Sequence, residues 1–189
     1  YVDVNHDGVI NASDKVDLGN GLPKYTFGFN VNLAWKGFDL SANFTGAAGF
    51  QIAQSYRDPS SSQANYSRRI LKRWTGEGTS NEIPRVTYGD VGNWLFSDLY
   101  LQDGDYIRLQ NLTMGYDFKK LISWKGLSKM RLYFQVQNLF TLTKYDGMDP
   151  EIGSFNGTNG NSSDSWVSGV DMGYYPHPRT FIVGLNLAF

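Results

Sequence analysis

From Tyr25 onward every second residue is apolar or aromatic: Tyr25, Phe27, Phe29, Val31, Leu33 and Trp35. Between them stand Thr26, Gly28, Asn30, Asn32 and Ala34. A period of two describes a strand with one apolar face. After Lys36-Gly37 the pattern resumes, with Phe38, Leu40, Ala42 and Phe44 facing one way and Asp39, Ser41, Asn43 and Thr45 the other. The pair reads as a hairpin. The alternation returns three times. Leu112, Met114, Tyr116 and Phe118 interleave with Asn111, Thr113, Gly115 and Asp117. Met130, Leu132, Phe134, Val136, Phe140 and Leu142 interleave with Arg131, Tyr133, Gln135, Gln137 and Thr141. Phe181, Val183, Leu185, Leu187 and Phe189 interleave with Ile182, Gly184, Asn186 and Ala188. The predicted strands are 24–35, 38–46, about 105–118, 129–142 and 179–189. Asn138 is the one polar residue on the five apolar faces, and none of those faces carries a charge.

An apolar face can pack on a second sheet in a soluble sandwich, but the opposite face is then solvated and rich in Lys and Glu. Here the opposite face holds Asn, Gln, Ser, Thr and Gly, the composition of the wet lumen of a large barrel. The bulky face suits lipid, where a charge costs roughly 2–4 kcal/mol at the bilayer midplane. The soluble antiparallel sandwich is the alternative that alternation alone leaves open.

Loop lengths favour the barrel. Lys36-Gly37 is very short and residues 119–128 make a modest link, whereas about Ala47 to Ser97 and Lys144 to Pro178 are long. Structureless connections of that length are unusual in compact domains. Outer-membrane barrels alternate short periplasmic turns with long extracellular loops. Counting residues 1–23 as a long segment, the order is long, short, long, short, long. Trp35 and Trp124 then fall near the periplasmic ends, where an aromatic belt is expected. Five strands leave two raw edges and cannot close, so the chain is expected to belong to something longer, with its remaining strands before Tyr1.

Composition removes other classes. Aromatics are 15% and glycines number 21, which suits β-structure with many turns. A net charge of −1 offers no basic field for nucleic acid. The chain has no cysteine, hence no disulfide or thiolate metal site. No apolar run approaches the ~18 residues of a membrane helix, which leaves strand-crossing barrels untouched.

Several segments then act together: DVNHDGVINASD (3–14), LPKYTFGFNVNLAWKGFDLSANFTGAAG (22–49), RWTGEGTSNEIPR (73–85), DLYLQDGDYIRLQNLTMGYDF (98–118), LYFQVQNLFTLTKYDGMDPEI (132–152) and YYPHPRTFIVGLNLAF (174–189). In this order they resemble the C-terminal region of SusC/RagA-type TonB-dependent transporters of Bacteroidetes. The resemblance implies an all-β fold, the last five antiparallel strands of a transmembrane β-barrel of about 22 strands with a plug. It implies residues 1–23 as an extracellular loop and 24–189 as transmembrane strands with their extracellular loops. It implies import of oligosaccharides or oligopeptides with a SusD-like surface lipoprotein as lid, driven by TonB–ExbB–ExbD through the plug, in the bacterial outer membrane. A terminal Phe189 on the alternation resembles the signal that the barrel-assembly machinery reads.

One motif carries site chemistry. Asp3, Asn5, Asp7, Gly8, Ile10 and Asp14 fall at positions 1, 3, 5, 6, 8 and 12 of an EF-hand-like loop. Ca²⁺ takes about six to eight hard oxygens, and a glycine permits the sharp central turn. The candidate ligands are Asp3, Asn5, Asp7, the Val9 carbonyl, Asn11 and Asp14, for a structural ion. Asp in place of Glu at the last position shortens the closing arm. An Asx-rich turn without metal is the alternative.

Other constellations read more plainly. His6 and His177 lack zinc-site spacing. Asp103, Asp105, Asp146, Asp149 and Glu151 contain possible pairs for glycoside hydrolysis, but sit at strand–loop junctions where solvated turns are usual. No nucleotide-binding or hydrolase motif occurs, so no enzyme is expected. Arg131, Gln135 and Gln137 are candidate lumen residues for substrate. Trp74, Trp94 and Trp166, with Tyr174 and Tyr175, are expected extracellular aromatics suited to stacking on sugar or meeting the lid, with loop packing as the plainer alternative for each. A passive porin-like barrel and a secreted, calcium-stabilised glycan-binding β-domain are the competing functions.

Overall fold

The computed structural model describes residues 1–55, 68–86, 95–122, 124–152 and 169–189. The strands among them are β1 (Tyr25–Trp35), β2 (Phe38–Ala48), β3 (Gln51–Gln54), β4 (Leu101–Asp103), β5 (Tyr106–Asp117), β6 (Lys129–Thr143), β7 (Val170–Asp171) and β8 (Thr180–Ala188). They divide between two compact units. One comprises Pro23–Phe50, Gly104–Pro150 and Tyr175–Phe189; the other comprises Tyr1–Leu22, Gln51–Asp103 and Glu151–Tyr174.

The first unit is a five-stranded sheet in the order β1-β2-β5-β6-β8, every neighbouring pair antiparallel. These are the five strands that the alternation predicts. The β1–β2 hairpin turns on Lys36 (φ 47°) and Gly37 (φ 99°), both left-handed. That is the two-residue geometry whose twist matches the flanking strands, and it fixes the register from Trp35↔Phe38 back to Tyr25↔Ala48.

Two irregularities re-aim the middle of the sheet. Against β2, Gln110 of β5 is an extra residue between Leu109 and Asn111. Against β6, that single residue stands opposite Asn138 and Leu139, because Asn111 pairs with Gln137 and Leu109 with Phe140. A bulge of this kind shifts which side chains share a face. Ile107 and Leu109 thereby join the apolar face, and Arg108 joins the polar one, opposite Thr45 and Thr141. The bulge also accounts for the polar residue on an apolar face. Asn138 has φ 52° and its Nδ2 donates to the Pro178 carbonyl at 3.1 Å.

Aromatic pairs tie strands across the apolar face. Phe29 stacks on Phe44 at 4.6 Å, Phe38 lies 4.4 Å from Tyr116, and Phe134 lies 6.2 Å from Phe181. Such cross-strand pairs each contribute roughly 0.2–1 kcal/mol. On the polar face the Tyr133 ring lies over Gly184, where any Cβ would collide with it.

The second unit holds a three-stranded sheet, β4-β3-β7, with β3 antiparallel to β4 and parallel to β7. Its core residue Ile52 is fully buried and Asp171 is nearly so. Asp171 works through both its ends: its carbonyl accepts from Ser55 N–H, and its Oδ1 accepts from the Gly173 and Tyr174 N–H groups. The connections expected to lack strands thus contain β3 and β7. Strands of two and four residues are too short to display a period.

Candidate functional site

The sheet is organised inside out for a water-soluble protein. Its apolar face is open: Trp35 is 67% exposed, Phe181 61% and Val183 71%. Exposed side chains of this size form a contiguous surface with no protein partner in this unit, the mark of an interaction surface or a membrane.

The polar face is built row by row from the register. One row runs Asn30, Asn43, Asn111, Gln137, Thr180, and the next runs Asn32, Ser41, Thr113, Gln135, Ile182. Asn43 Nδ2 donates to Asn30 Oδ1 at 2.6 Å, and Ser41 Oγ donates to Asn32 Oδ1 at 2.7 Å. Gln135 and Gln137 therefore lie on the polar face. Arg131 lies there too, but engaged. Its Nε donates to Asp39 Oδ1 at 2.8 Å, its guanidinium lies 5.0 Å from the Tyr133 ring, and it crosses Gly115, whose lack of a Cβ leaves the room.

Toward the other end of the same face is a cluster that sequence reading missed. Arg108 and Asp149 are 3% and 4% exposed and form an ion pair through Nη2 and Oδ1. Arg108 Nε donates to Thr141 Oγ1 at 2.9 Å. Asp149 Oδ2 accepts from the His177 backbone N–H at 3.2 Å and lies 3.1 Å from its Nδ1, while Arg108 Nη1 lies 3.2 Å from that same Nδ1. One buried arginine so gathers β5, β6 and the residues just before β8. The sole sequence signal was Arg108 itself, the one cation in β5. Asp105, weighed with Asp149 as a carboxylate pair, accepts from Gly49 N–H at 2.7 Å and serves a turn.

The loop at residues 3–14 folds on its own side chains. Asp3 Oδ2 accepts from Gly8 N–H at 2.8 Å, Asp7 Oδ1 from Val9 N–H at 2.8 Å, and Asn5 Oδ1 from Asp7 N–H at 3.0 Å. Asp14 closes the loop, its two oxygens accepting from Val4 and Asn11 N–H at 2.9 and 2.7 Å. Those backbone donors, Asn11 first and then Val4, hold the Asp14 carboxyl below the usual carboxylate range. Asn11 caps the Ala12–Asp14 turn. Val9's carbonyl accepts from Asn11 Nδ2 at 3.0 Å. Asp3 Oδ1 is buried with no hydrogen-bond partner. Among the described residues, no three acidic or histidine side chains are grouped as a metal site. A cation here would have to draw on Asn5 and the Val9 carbonyl as well.

Of the aromatic candidates, Trp74 is 37% exposed, with its backbone N–H bonded to the Ile83 carbonyl at 2.9 Å. Trp94 and Trp166 lie outside the described residues. Tyr174 and Tyr175 are exposed, and Phe189 is open just past β8.

No family model matches the chain. Individual relatives do. TonB-dependent receptor P3 of Formosa agariphila is 35% identical over 191 aligned residues, which cover all of this chain and 19% of the receptor. TonB-dependent receptor SusC of Bacteroides thetaiotaomicron is 29% identical, again over all of this chain and 17% of the receptor. The chain thus spans about a fifth of the length of the relatives it matches. In fold it is similar to a chain of the RagAB peptide importer in its closed-closed state, with a TM-score of 0.68 over 97% of this chain and 20% of that one, at 22% identity. By sequence along its whole length and by fold, the chain is similar to a stretch of the TonB-dependent receptors of the SusC and RagA type, and the outer membrane is where such receptors reside.

Proposed function

We propose that this chain forms five neighbouring wall strands of a TonB-dependent outer-membrane importer, a barrel of about 22 strands. The apolar face of the sheet meets lipid and the polar face lines the lumen. The connections 47–97 and 144–178, with residues 1–23, face the cell exterior. There they meet a SusD-like lipoprotein lid and take up oligosaccharides or oligopeptides, with TonB–ExbB–ExbD supplying the drive. Import, not catalysis, is the role.

The observation that carries the reading is the inverted sheet: large apolar side chains stand open while the opposite face is mostly amide and hydroxyl, with Arg131–Asp39 and Arg108–Asp149 paired on it. Water would not tolerate that apolar face uncovered, whereas a bilayer requires it. The names of the relatives support TonB coupling over a passive porin.

The test is mass spectrometry of the intact complex, extracted from outer membranes in mild detergent. Peptides of this chain should fall within a protein several times longer that carries a lipoprotein partner. Recovery as a free, soluble protein of this length would replace the barrel by a secreted glycan-binding domain.

The loop at residues 3–14 we propose as a structural calcium site, held by Asp3, Asn5, Asp7, the Val9 carbonyl, Asn11 and Asp14. The support is the ligand spacing and the unpartnered Asp3 Oδ1, whose sister oxygen is fixed by Gly8 N–H. Replacing Asp3 and Asp7 with Ala should lower the melting temperature only when calcium is supplied. Equal loss with and without calcium would leave an Asx turn and no metal.

A further inference from the structure

We propose that the rim of the sheet formed by the β1–β2 turn and the β5–β6 connection binds the headgroup of an anionic phospholipid, through Lys36, Lys119 and Lys125 beside Trp35 and Trp124. This rests on the barrel reading, in which the rim faces the periplasmic leaflet, and adds a lipid preference to it. Strand length sets the depth. A tilted strand crosses the hydrocarbon core in about 9–11 residues. β1 has 11 and ends at Trp35, and β5 has 12 and ends at Asp117. Lys36 directly follows the first, and Lys119 stands two residues beyond the second, so both ammonium groups fall where the core gives way to headgroups.

The apolar face runs without a break into this rim. Phe38 packs on Tyr116, and Phe118 meets Tyr116 edge-on at 4.9 Å. Beyond them Leu121, Ile122 and Trp124 are exposed, as Trp35 is. Indole rings among exposed apolar side chains are the composition of a membrane–water boundary. Lys36 Nζ lies 4.8 Å over the Trp35 ring, which places that ammonium against the apolar face and away from the lumen. Lys119 Nζ donates to the Trp124 carbonyl at 2.7 Å, which uses one of its three donors. Lys125 follows Trp124 and is exposed.

Charge selects the headgroup. The carboxylates at this end of the sheet are engaged elsewhere: Asp39 is paired with Arg131, and Asp117 Oδ1 accepts from the Lys119 backbone N–H at 3.0 Å. Among the described residues none of the three lysines has a carboxylate partner. A zwitterionic lipid brings its own cation beside its phosphate, whereas an anionic lipid brings a phosphate that the lysines can neutralise. Close to an anionic lipid surface each lysine strengthens binding by a factor of about five. Lys129 supplies a contrast within the same rim. It stands two residues before Arg131 in β6, hence on the polar face, turned from the lipid.

The experiment uses the whole receptor that contains this chain, reconstituted into nanodiscs of equal parts phosphatidylcholine and phosphatidylglycerol. Native mass spectrometry then reads which lipid stays bound. Phosphatidylglycerol should be retained over phosphatidylcholine. The triple variant Lys36→Gln, Lys119→Gln, Lys125→Gln should reduce that preference by roughly tenfold or more, while Lys129→Gln should leave it unchanged. Heat-modifiable migration on gels reports an intact barrel. Should the triple variant fail to assemble, Lys125→Gln alone, at an exposed position, should reduce the preference roughly fivefold. Equal retention of the two lipids would leave an aromatic belt with no headgroup preference. Unchanged preference in the folded triple variant would give the rim to another partner, and an equal loss in Lys129→Gln would reduce the effect to bulk charge. Excess inorganic phosphate that strips the retained lipid would reveal a site for the free anion. Each of these four outcomes overturns the proposal and leaves the barrel standing. The barrel reading fails separately, if the protein stays soluble without detergent and takes up neither lipid.

Discussion

The sheet of β1, β2, β5, β6 and β8 and the unit built around β3, β4 and β7 obey different rules. In the sheet, order comes from long ladders, and the side chains divide between one open apolar face and one polar face. The second unit has strands of two to four residues, and its order comes from buried points: Ile52, the Asp171 turn, and Gly169, where a Cβ would meet the Gly21 backbone at 2.5 Å. Backbone pairing over many residues makes the first tolerant of single side-chain changes unless they alter its solvent. The second depends on a few positions and tolerates change elsewhere.

The largest effect should come where the sheet departs from its own rule, at its buried charges. Arg108→Ala leaves Asp149 buried without its ion partner, a loss of about 3–5 kcal/mol. A melt of the barrel in detergent should show it, and a shift no larger than that of an exposed-site control would remove the cluster from the list of anchors. Next comes solvent. Val183→Arg on the apolar face should destabilise insertion by about 2–4 kcal/mol. Leu71→Arg in the second unit, where Leu71 is 75% exposed, should change stability by less than about 0.5 kcal/mol. Equal effects measured by folding into lipid vesicles would erase the contrast between the units.

Below the Val183→Arg effect comes Ile52→Val, expected to cost about 0.5–1.5 kcal/mol, local to the second unit and visible as faster amide exchange at Ala53 and Ser55 but not in the five-stranded sheet. The smallest is a pH effect in the 3–14 loop. The folded Asp14 carboxyl titrates below its unfolded value, so its stabilisation is present at neutral pH and is lost as pH falls through the depressed value. Protection of the Val4 and Asn11 amides should drop in that acidic window, and Asp14→Asn should abolish the dependence.

Legibility followed the same division. The sheet was readable because a period of two repeated over five segments marks strand, face and turn at once. The bulge was not, because an inserted residue looks like noise in the alternation: Gln110 and the Asn138-Leu139 pair keep the surrounding pattern plausible while Ile107, Arg108 and Leu109 exchange sides. β3 and β7 were hidden by their brevity. Gln135 and Gln137 were legible as polar-face residues, but their grouping with Asn111 and Thr113 needed the register. The Arg108–Asp149–His177 cluster joins residues distant in sequence, each with a reasonable solitary explanation, and the lone cation of β5 is the one local hint of it.

The parallel pairing of β3 with β7 sets an order in time. Ala53 meets Val170, residues far apart along the chain, whereas the β1–β2 hairpin closes across two residues. Contacts between distant segments must first overcome the entropy of closing a large loop, and they form slowly. The hairpin can therefore zip at once, while the second unit has to wait for Val170–Asp171 before it can complete its sheet. Until then β3 is paired on one side alone, with β4.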